Sequence, residues 1–268
     1  MSKRSPPKRA YRPPTPRATV DAMSNAKDVW LAGVDGCPGG WIAAFVRPAG
    51  DEVTVAVFAR MADVLAATQQ PAVVAVDMPI GLPERSGIGG RAAENAVRPL
   101  LEKRQSSVFS VPSRAAIYAA DYGDACRIAQ ATSDPPRKVS KQLFNIAPKI
   151  REVDELLRAD VGLVPRLFEV HPELAFWRLN GGQALTEPKK VKSRCYERGL
   201  AQRRGLLIGA GLPAAAVNER PPRGAAPDDL IDALACAAIA RRIHAGTARP
   251  FPNPPPRDAY GLPMAIWA

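Results

Sequence analysis

Apolar residues are spaced along this chain in several distinct rhythms. Val29-Trp-Leu-Ala-Gly-Val34 is a short apolar run that ends at Asp35 and the turn Gly36-Cys-Pro-Gly-Gly40. Trp41–Val46 and Val53–Phe58 are two further strand candidates, separated by Pro48-Ala-Gly-Asp51. Apolar runs bounded by such turn residues predict a three-stranded antiparallel meander. Residues 60–69 have helical spacing. Ala72-Val-Val-Ala-Val76 is continuously apolar, as a strand buried on both faces would be, and it stops at Asp77 and the breaker-rich Met78–Pro83.

Beyond Pro83 the period changes. Helical stretches at about 90–104, 113–130 and 140–158, separated by turn material such as Ser133-Asp-Pro-Pro136, predict a helical insertion over about 84–160. Strand character returns at Leu167–Val170, followed by His171-Pro-Glu173 and a short helix. A basic helix is expected over roughly 190–209. A long apolar helix is expected from Pro227-Asp-Asp229 to about His244, and a terminal strand at Pro263–Trp267. The predicted class is α/β, with one domain over 28–268.

Composition narrows the picture without deciding it. The 268 residues are 46% hydrophobic and 24% charged, and no stretch approaches the roughly 18 consecutive apolar residues of a membrane helix. Four scattered cysteines without a C-x-x-C pair argue against a zinc ribbon or a disulfide scaffold. With no secretory leader pattern, a reducing cytoplasm is the expected location. The net charge of +11 is uneven: residues 1–27 carry seven basic side chains against Asp21 alone. Five prolines fall in the first sixteen residues, so 1–27 reads as a basic, disordered tail.

Candidate chemistry lies with the carboxylates. Asp35 and Asp77 each end a predicted strand, and neighbouring strands would bring both to one end of the sheet, where a divalent cation relieves their repulsion. Asp228 reads as the cap of the last long helix and Asp229 as favoured by its dipole. Asp232 falls within a helix that is apolar almost all round, so it is expected to be buried near a cation or an arginine. Glu169 and His171 alternate onto one strand face, an arrangement that suits a metal or a proton-transfer pair, with a hydrogen-bonded structural histidine as the alternative. Neither a P-loop nor a dinucleotide fingerprint is present. Basic groups cluster at 189–204 and at Arg137, Lys138, Lys141, Lys149 and Arg151. Strips of this kind suit a polyanion held through its phosphates, against the simpler reading of solvated helix faces.

Six ordered motifs together resemble a known family. They are Gly33-Val-Asp-Gly-Cys-Pro-Gly-Gly-Trp41, Asp77-Met-Pro-Ile-Gly-Leu-Pro83, Ser106-Ser-Val-Phe109, Pro148-Lys-Ile-Arg-Glu-Val-Asp154, Glu169-Val-His-Pro-Glu173 and Asp228-Asp-Leu-Ile-Asp-Ala-Leu-Ala235. The chain from about Val29 to Trp267 is similar to domain of unknown function family 429, a bacterial family described as predicted ribonuclease H-like nucleases. The resemblance implies a ribonuclease H-like mixed sheet flanked by helices, which the predicted order of strands and helices also suggests. In the wider superfamily, Asp229 and Asp232 are similar to the last-helix D-x-x-D of RuvC-type resolvases, and Asp35 to their first-strand aspartate. Asp77 stands where those enzymes place a glutamate, and the helical insertion has no counterpart in them. The same resemblance implies two-metal phosphodiester hydrolysis with Mg2+ or Mn2+. Asp35, Asp77, Asp229 and Asp232 would be the ligands, Glu169 and Lys149 would be further catalytic residues, and nucleic acid would be the partner. The alternatives are a catalytically silent nucleic-acid- or protein-binding module on the same fold, or nucleotide phosphoryl transfer.

Overall fold

A computed structural model describes residues 29–192 and 194–268; the expected tail over 1–27 lies outside them. Five strands form the central mixed sheet: β1 (Leu31–Cys37), β2 (Gly40–Val46), β3 (Val53–Phe58), β4 (Val73–Val76) and β5 (Leu167–Glu169), in the order β3-β2-β1-β4-β5. β1, β2 and β3 make the expected antiparallel meander, while β4 runs parallel to β1 and β5 parallel to β4.

Alternation along the strands sends side chains into two cores. Ala32, Val34, Val74 and Val76 face one side, where they meet α1 (Met61–Leu65), α3 (Arg114–Ile117), α4 (Tyr122–Ala131) and α5 (Lys141–Ala159). Leu31, Val73 and Ala75 face the other, against α2 (Ala92–Leu101), α6 (Pro172–Leu179), α7 (Glu197–Gly209) and the long α9 (Pro227–His244). The short helix α8 (Ala214–Val217) and a two-stranded sheet of β8 (Pro250–Phe251) and β9 (Ile266–Trp267) complete the second side. Burial on both faces explains why β4 is apolar throughout.

Gly33 brings α9 unusually close to the sheet. A Cβ there would lie 1.9 Å from the backbone nitrogen of Ala237 and 2.2 Å from the carbonyl oxygen of Ala233. Only a glycine permits that approach, and it fixes how near the residues of α9 come to those of β1.

Several predicted elements change in detail. The helix expected over 113–130 is two helices, because Asp121 accepts the Asp124 amide at 2.9 Å and starts α4 afresh. Helix α1 is shorter than 60–69. The basic helix expected over 190–209 begins only at Glu197. Before it comes a small hairpin of β6 (Lys190–Val191) and β7 (Arg194–Cys195), which projects Lys189 and Lys190 towards the start of α9. Among the described residues, no helix is long and apolar enough to cross a membrane.

Candidate active site

The parallel register pairs Val34 with Val76, and the Asp77 amide donates to the Val34 carbonyl at 2.9 Å. Asp35 and Asp77 are the next residues on their strands, so both share the sheet face that carries Gly33 and Ala75. Asp232 meets them from α9, one residue before Ala233 and its close contact with Gly33. The three carboxylates each offer an oxygen, and these oxygens lie within 4.8 Å of one another.

Such crowding in a poorly solvated place makes all three weak acids. Burial raises Asp35 well above the usual carboxylate range, and repulsion from Asp77 and Asp232 adds to it. For Asp77, burial and then Asp232 push the pKa up to about 8. Burial lifts Asp232 to about 6, with Lys189 pulling the other way. One oxygen of Asp35 accepts the Gly36 amide at 2.7 Å. The Oδ1 of Asp232 is buried and has no partner among the described residues.

Lys189 provides the compensating charge. Its ammonium pairs with Asp232, and although burial alone would lower its pKa, Asp232, Asp35 and Asp77 together raise it. Beside it, Lys190 lies 2.5 Å from Asp228, and the Cys195 thiol is 3.4 Å from the same carboxylate. These contacts pin the hairpin to the first turn of α9. The sequence offered Lys189 only as one member of an outward-facing strip. A lysine outside every motif carries no signal that it folds inward.

The remaining α9 carboxylates depart from expectation in a consistent way. Ala226, not Asp228, is the N-cap residue, and Pro227 opens the first turn. Asp229 therefore takes the third helical position and accepts the Ala226 amide at 2.8 Å, while Asp228 turns to the lysine. Asp229 is outside the trio of converging oxygens.

Glu169 and His171, expected to suit a metal or a proton-transfer pair, and the nearby Glu173 are each taken by a different partner. Glu169 receives both Arg91 Nη2 at 2.5 Å and the Ile80 amide at 2.7 Å. Arg91 also holds Glu94, with Nε 2.8 Å from Oε1. Burial raises Glu169 to about 7 despite the guanidinium. Glu173 pairs with the fully buried Arg203 at 2.5 Å. His171 Nε2 faces the Ser107 carbonyl at 3.2 Å, and burial lowers its pKa to about 4. Glu169 and His171 both line one cavity, but they are held apart by different partners, Arg91 for the carboxylate and the Ser107 carbonyl for the imidazole.

Lys149 comes from α5 on the opposite side of the sheet. Its ammonium donates to the Gly40 carbonyl and lies 4.6 Å from the centroid of the Trp41 ring. A Cβ at Gly36 would sit 2.8 Å from Lys149 Cδ, so glycine there lets the lysine reach the rim beside Asp35. Asp35, Asp77, Lys149, Glu169 and His171 all line one cavity of about 200 Å³.

Of the basic strip at 189–204, Lys189, Lys190, Arg203 and Arg204 are each engaged by a carboxylate. Lys192, Arg194 and Arg198 remain exposed, as do Arg137, Lys138 and Lys141 on the insertion.

The fold and site thus define a mixed α/β protein with an aspartate trio, two of them buried and Asp77 half-buried, at the end of its central strands. The family model described as "Protein of unknown function (DUF429)" matches residues 33–257, and the chain belongs to that family. No curated protein and no solved structure matches it.

Proposed function

We propose that this protein is a divalent-metal-dependent phosphodiesterase acting on nucleic acid, built on a ribonuclease H-like fold. The strand order β3-β2-β1-β4-β5, in which β2 alone runs against the other four strands, supports the fold. The observation that carries the activity is the convergence of Asp35, Asp77 and Asp232 within 4.8 Å.

The donor set fits the ion. Three carboxylates are hard oxygen ligands of the kind Mg2+ and Mn2+ prefer, and the unpartnered Asp232 Oδ1 has a coordination role open to it. Asp35, Asp77 and Asp232 would hold the metal, which when bound supplies a polarised water and positive charge to offset the developing charge on phosphate. Binding a metal would require the three aspartates to be ionised, with the Lys189 ammonium on Asp232 Oδ2 opposing the cation's charge from beside the free Oδ1. Gly36, next to Asp35, leaves the space into which the Lys149 side chain packs. Lys149 adds a fixed positive charge on the same rim, held in place by the Gly40 carbonyl and the Trp41 ring. Glu169 is fully committed to Arg91 and Ile80 and acts as a positioning residue for the β4–α2 segment. The exposed Lys192, Arg194, Arg198, Arg137, Lys138 and Lys141 supply phosphate contacts without sequence readout.

A second reading is a catalytically silent module, and Lys189 favours it. An ammonium already paired with Asp232 neutralises part of the cluster without a metal. The two readings separate in one experiment. Labelled oligonucleotides are incubated with wild type and Asp77→Asn in Mg2+, Mn2+ or EDTA, alongside a manganese titration followed by calorimetry. Metal-dependent cleavage lost in the variant supports the phosphodiesterase. Absence of both manganese binding and cleavage leaves the silent module.

A further inference from the structure

A second cleft lies between α6, α7 and α9 and shares no lining residue with the cavity beside the aspartates. At about 1.5 Å per helical residue, its Arg241 stands about 14 Å along α9 from Asp232. Its volume of about 510 Å³ falls within the roughly 300–1,000 Å³ of pockets that hold small-molecule ligands. Gly205 and Gly209, one turn apart on α7, help to line it, and a Cβ at either would meet no atom within 4 Å. The missing side chains keep the cleft open.

The charge of this cleft is one-sided. Arg178, Arg241 and Arg242 line it, and no acidic residue does. Arg241 is spent on the fold, donating to the carbonyls of Pro48, Ala49 and Ala210. Arg178 differs. Its Nη1 and Nη2 have no partner among the described residues, and only its Nε is closed off from solvent. Arg242 donates from Nη2 to the Thr247 carbonyl at 3.2 Å and leaves Nη1 open. Burial, and then repulsion from Arg242 and Arg249, lowers the Arg178 pKa. The Trp177 ring, its centroid 4.9 Å from the Arg178 guanidinium, supports that group from one side.

A cation in the last turn of a helix ordinarily offsets the carbonyl end. Here the chain closes those ends itself. On α6 the Asn180 and Gly182 amides take the Phe176 and Trp177 carbonyls. On α9 the Ala245, Thr247 and Gly246 amides take those of Arg241, Arg242 and Ile243. Two guanidinium groups therefore line one cleft with donors that the fold does not use.

We propose that this cleft binds a phosphate monoester through Arg178 and Arg242. A guanidinium fork matches the oxygens of a phosphate in pairs. A monoester brings about two negative charges and three acceptor oxygens to the two arginines, where a carboxylate brings a single charge. The rest of the cleft, lined by Gly205, Gly209 and the half-buried Leu206, takes the group that carries the phosphate. The site needs no metal, and it does not rest on the phosphodiesterase reading.

The test is calorimetry on the full chain in EDTA, which keeps the aspartates from binding phosphate through a metal. Two pairs are compared: ribose 5-phosphate with ribose, and a short oligonucleotide with and without a 5′-phosphate. At least tenfold tighter binding of the phosphorylated member is expected. Preference in the sugar pair identifies a small phosphoester as the ligand, and preference confined to the oligonucleotide pair identifies a strand end. Arg178→Gln combined with Arg242→Gln should remove the preference while the melting temperature stays near that of wild type. Gly205→Leu, whose side chain would start in open space, should weaken the phosphorylated ligand at least tenfold in a protein that still folds. No preference in either pair, or a preference that survives the double variant, overturns the assignment.

Discussion

Two groups of buried charges lie around the same cavity, and they are built on opposite principles. In one, Arg91 presents its fork to Glu94 and Glu169, and the Arg91 and Ile80 amides take further carboxylate oxygens. In the other, Asp35, Asp77 and Asp232 crowd together with only the Lys189 side chain, on the lead into a two-stranded hairpin, to compensate them. The first group is saturated by rigid partners and holds the β4–α2 segment to β5. The second leaves a buried oxygen unpartnered and crowds three carboxylates within 4.8 Å of one another. The saturated group ties elements of the fold together, and the crowded, under-compensated group is the candidate site.

The largest effect should come from the saturated group. Arg91→Met strands two buried carboxylates and is expected to destabilise the fold by about 3–5 kcal/mol in urea denaturation, with or without manganese. A loss below about 1 kcal/mol would mean the two groups do not differ as described.

Neutralising the unsatisfied group should do the opposite. Asp77→Asn relieves repulsion, so apo stability should hold or rise. The wild type should gain ~2.7 kcal/mol from manganese at a hundred times its dissociation constant, and the variant should lose that gain. A strongly destabilised Asp77→Asn that still responds to manganese would contradict this.

Lys189 offers a finer cut. As a tethered cation competing for Asp232, it should weaken metal binding, so Lys189→Met is expected to tighten manganese about tenfold at pH 8, or ~1.4 kcal/mol. Weaker binding in the variant would make Lys189 a helper of the metal site and not its rival.

The smallest expected effect is on the pH dependence of stability. Asp77, raised from 3.8 to about 8, stabilises the fold while protonated and loses that contribution as pH rises from 3.8 through 8. His171, lowered from 6.5 to about 4, works in the other direction, because the unfolded chain takes up its proton as pH falls through 6.5. The two oppose each other between about 4 and 6.5, and above 6.5 the histidine no longer offsets the carboxylate. Melting temperature without metal should therefore fall between pH 6.5 and 8, and Asp77→Asn should flatten that slope.

Much of this organisation is legible in the sequence. The meander, the buried β4 and the long α9 follow from apolar spacing alone, because each must bury a face whose width the residues state directly. Asp35, Asp77 and Asp232 stand out for the same reason, as acids at the ends or in the interior of apolar elements. What the sequence hides is pairing across distance. Arg91 and Glu169 are 78 positions apart, and Lys189 and Asp232 are 43 apart, so nothing local announces either contact. The role of Asp229 is hidden by a small shift in the cap, since Pro227 at the first turn moves the cap to Ala226. The Glu169–His171 pairing misleads because each is claimed by a partner far along the chain, Arg91 for one and the Ser107 carbonyl for the other.

Gly33 turns a packing distance into an electrostatic one. Its missing side chain sets how closely α9 lies on β1, and Asp232 rides on α9 just where the two backbones touch. Repulsion between like charges falls with the reciprocal of their separation. Were the helix held further out, the trio would drift back towards ordinary carboxylic acids and the oxygens would spread beyond the reach of a single ion. The acidity of the centre is thus written partly in a residue with no ionisable group at all. A chain that keeps every aspartate but carries a methyl group at this position would keep the motif and lose the close packing that brings Asp232 to the other two.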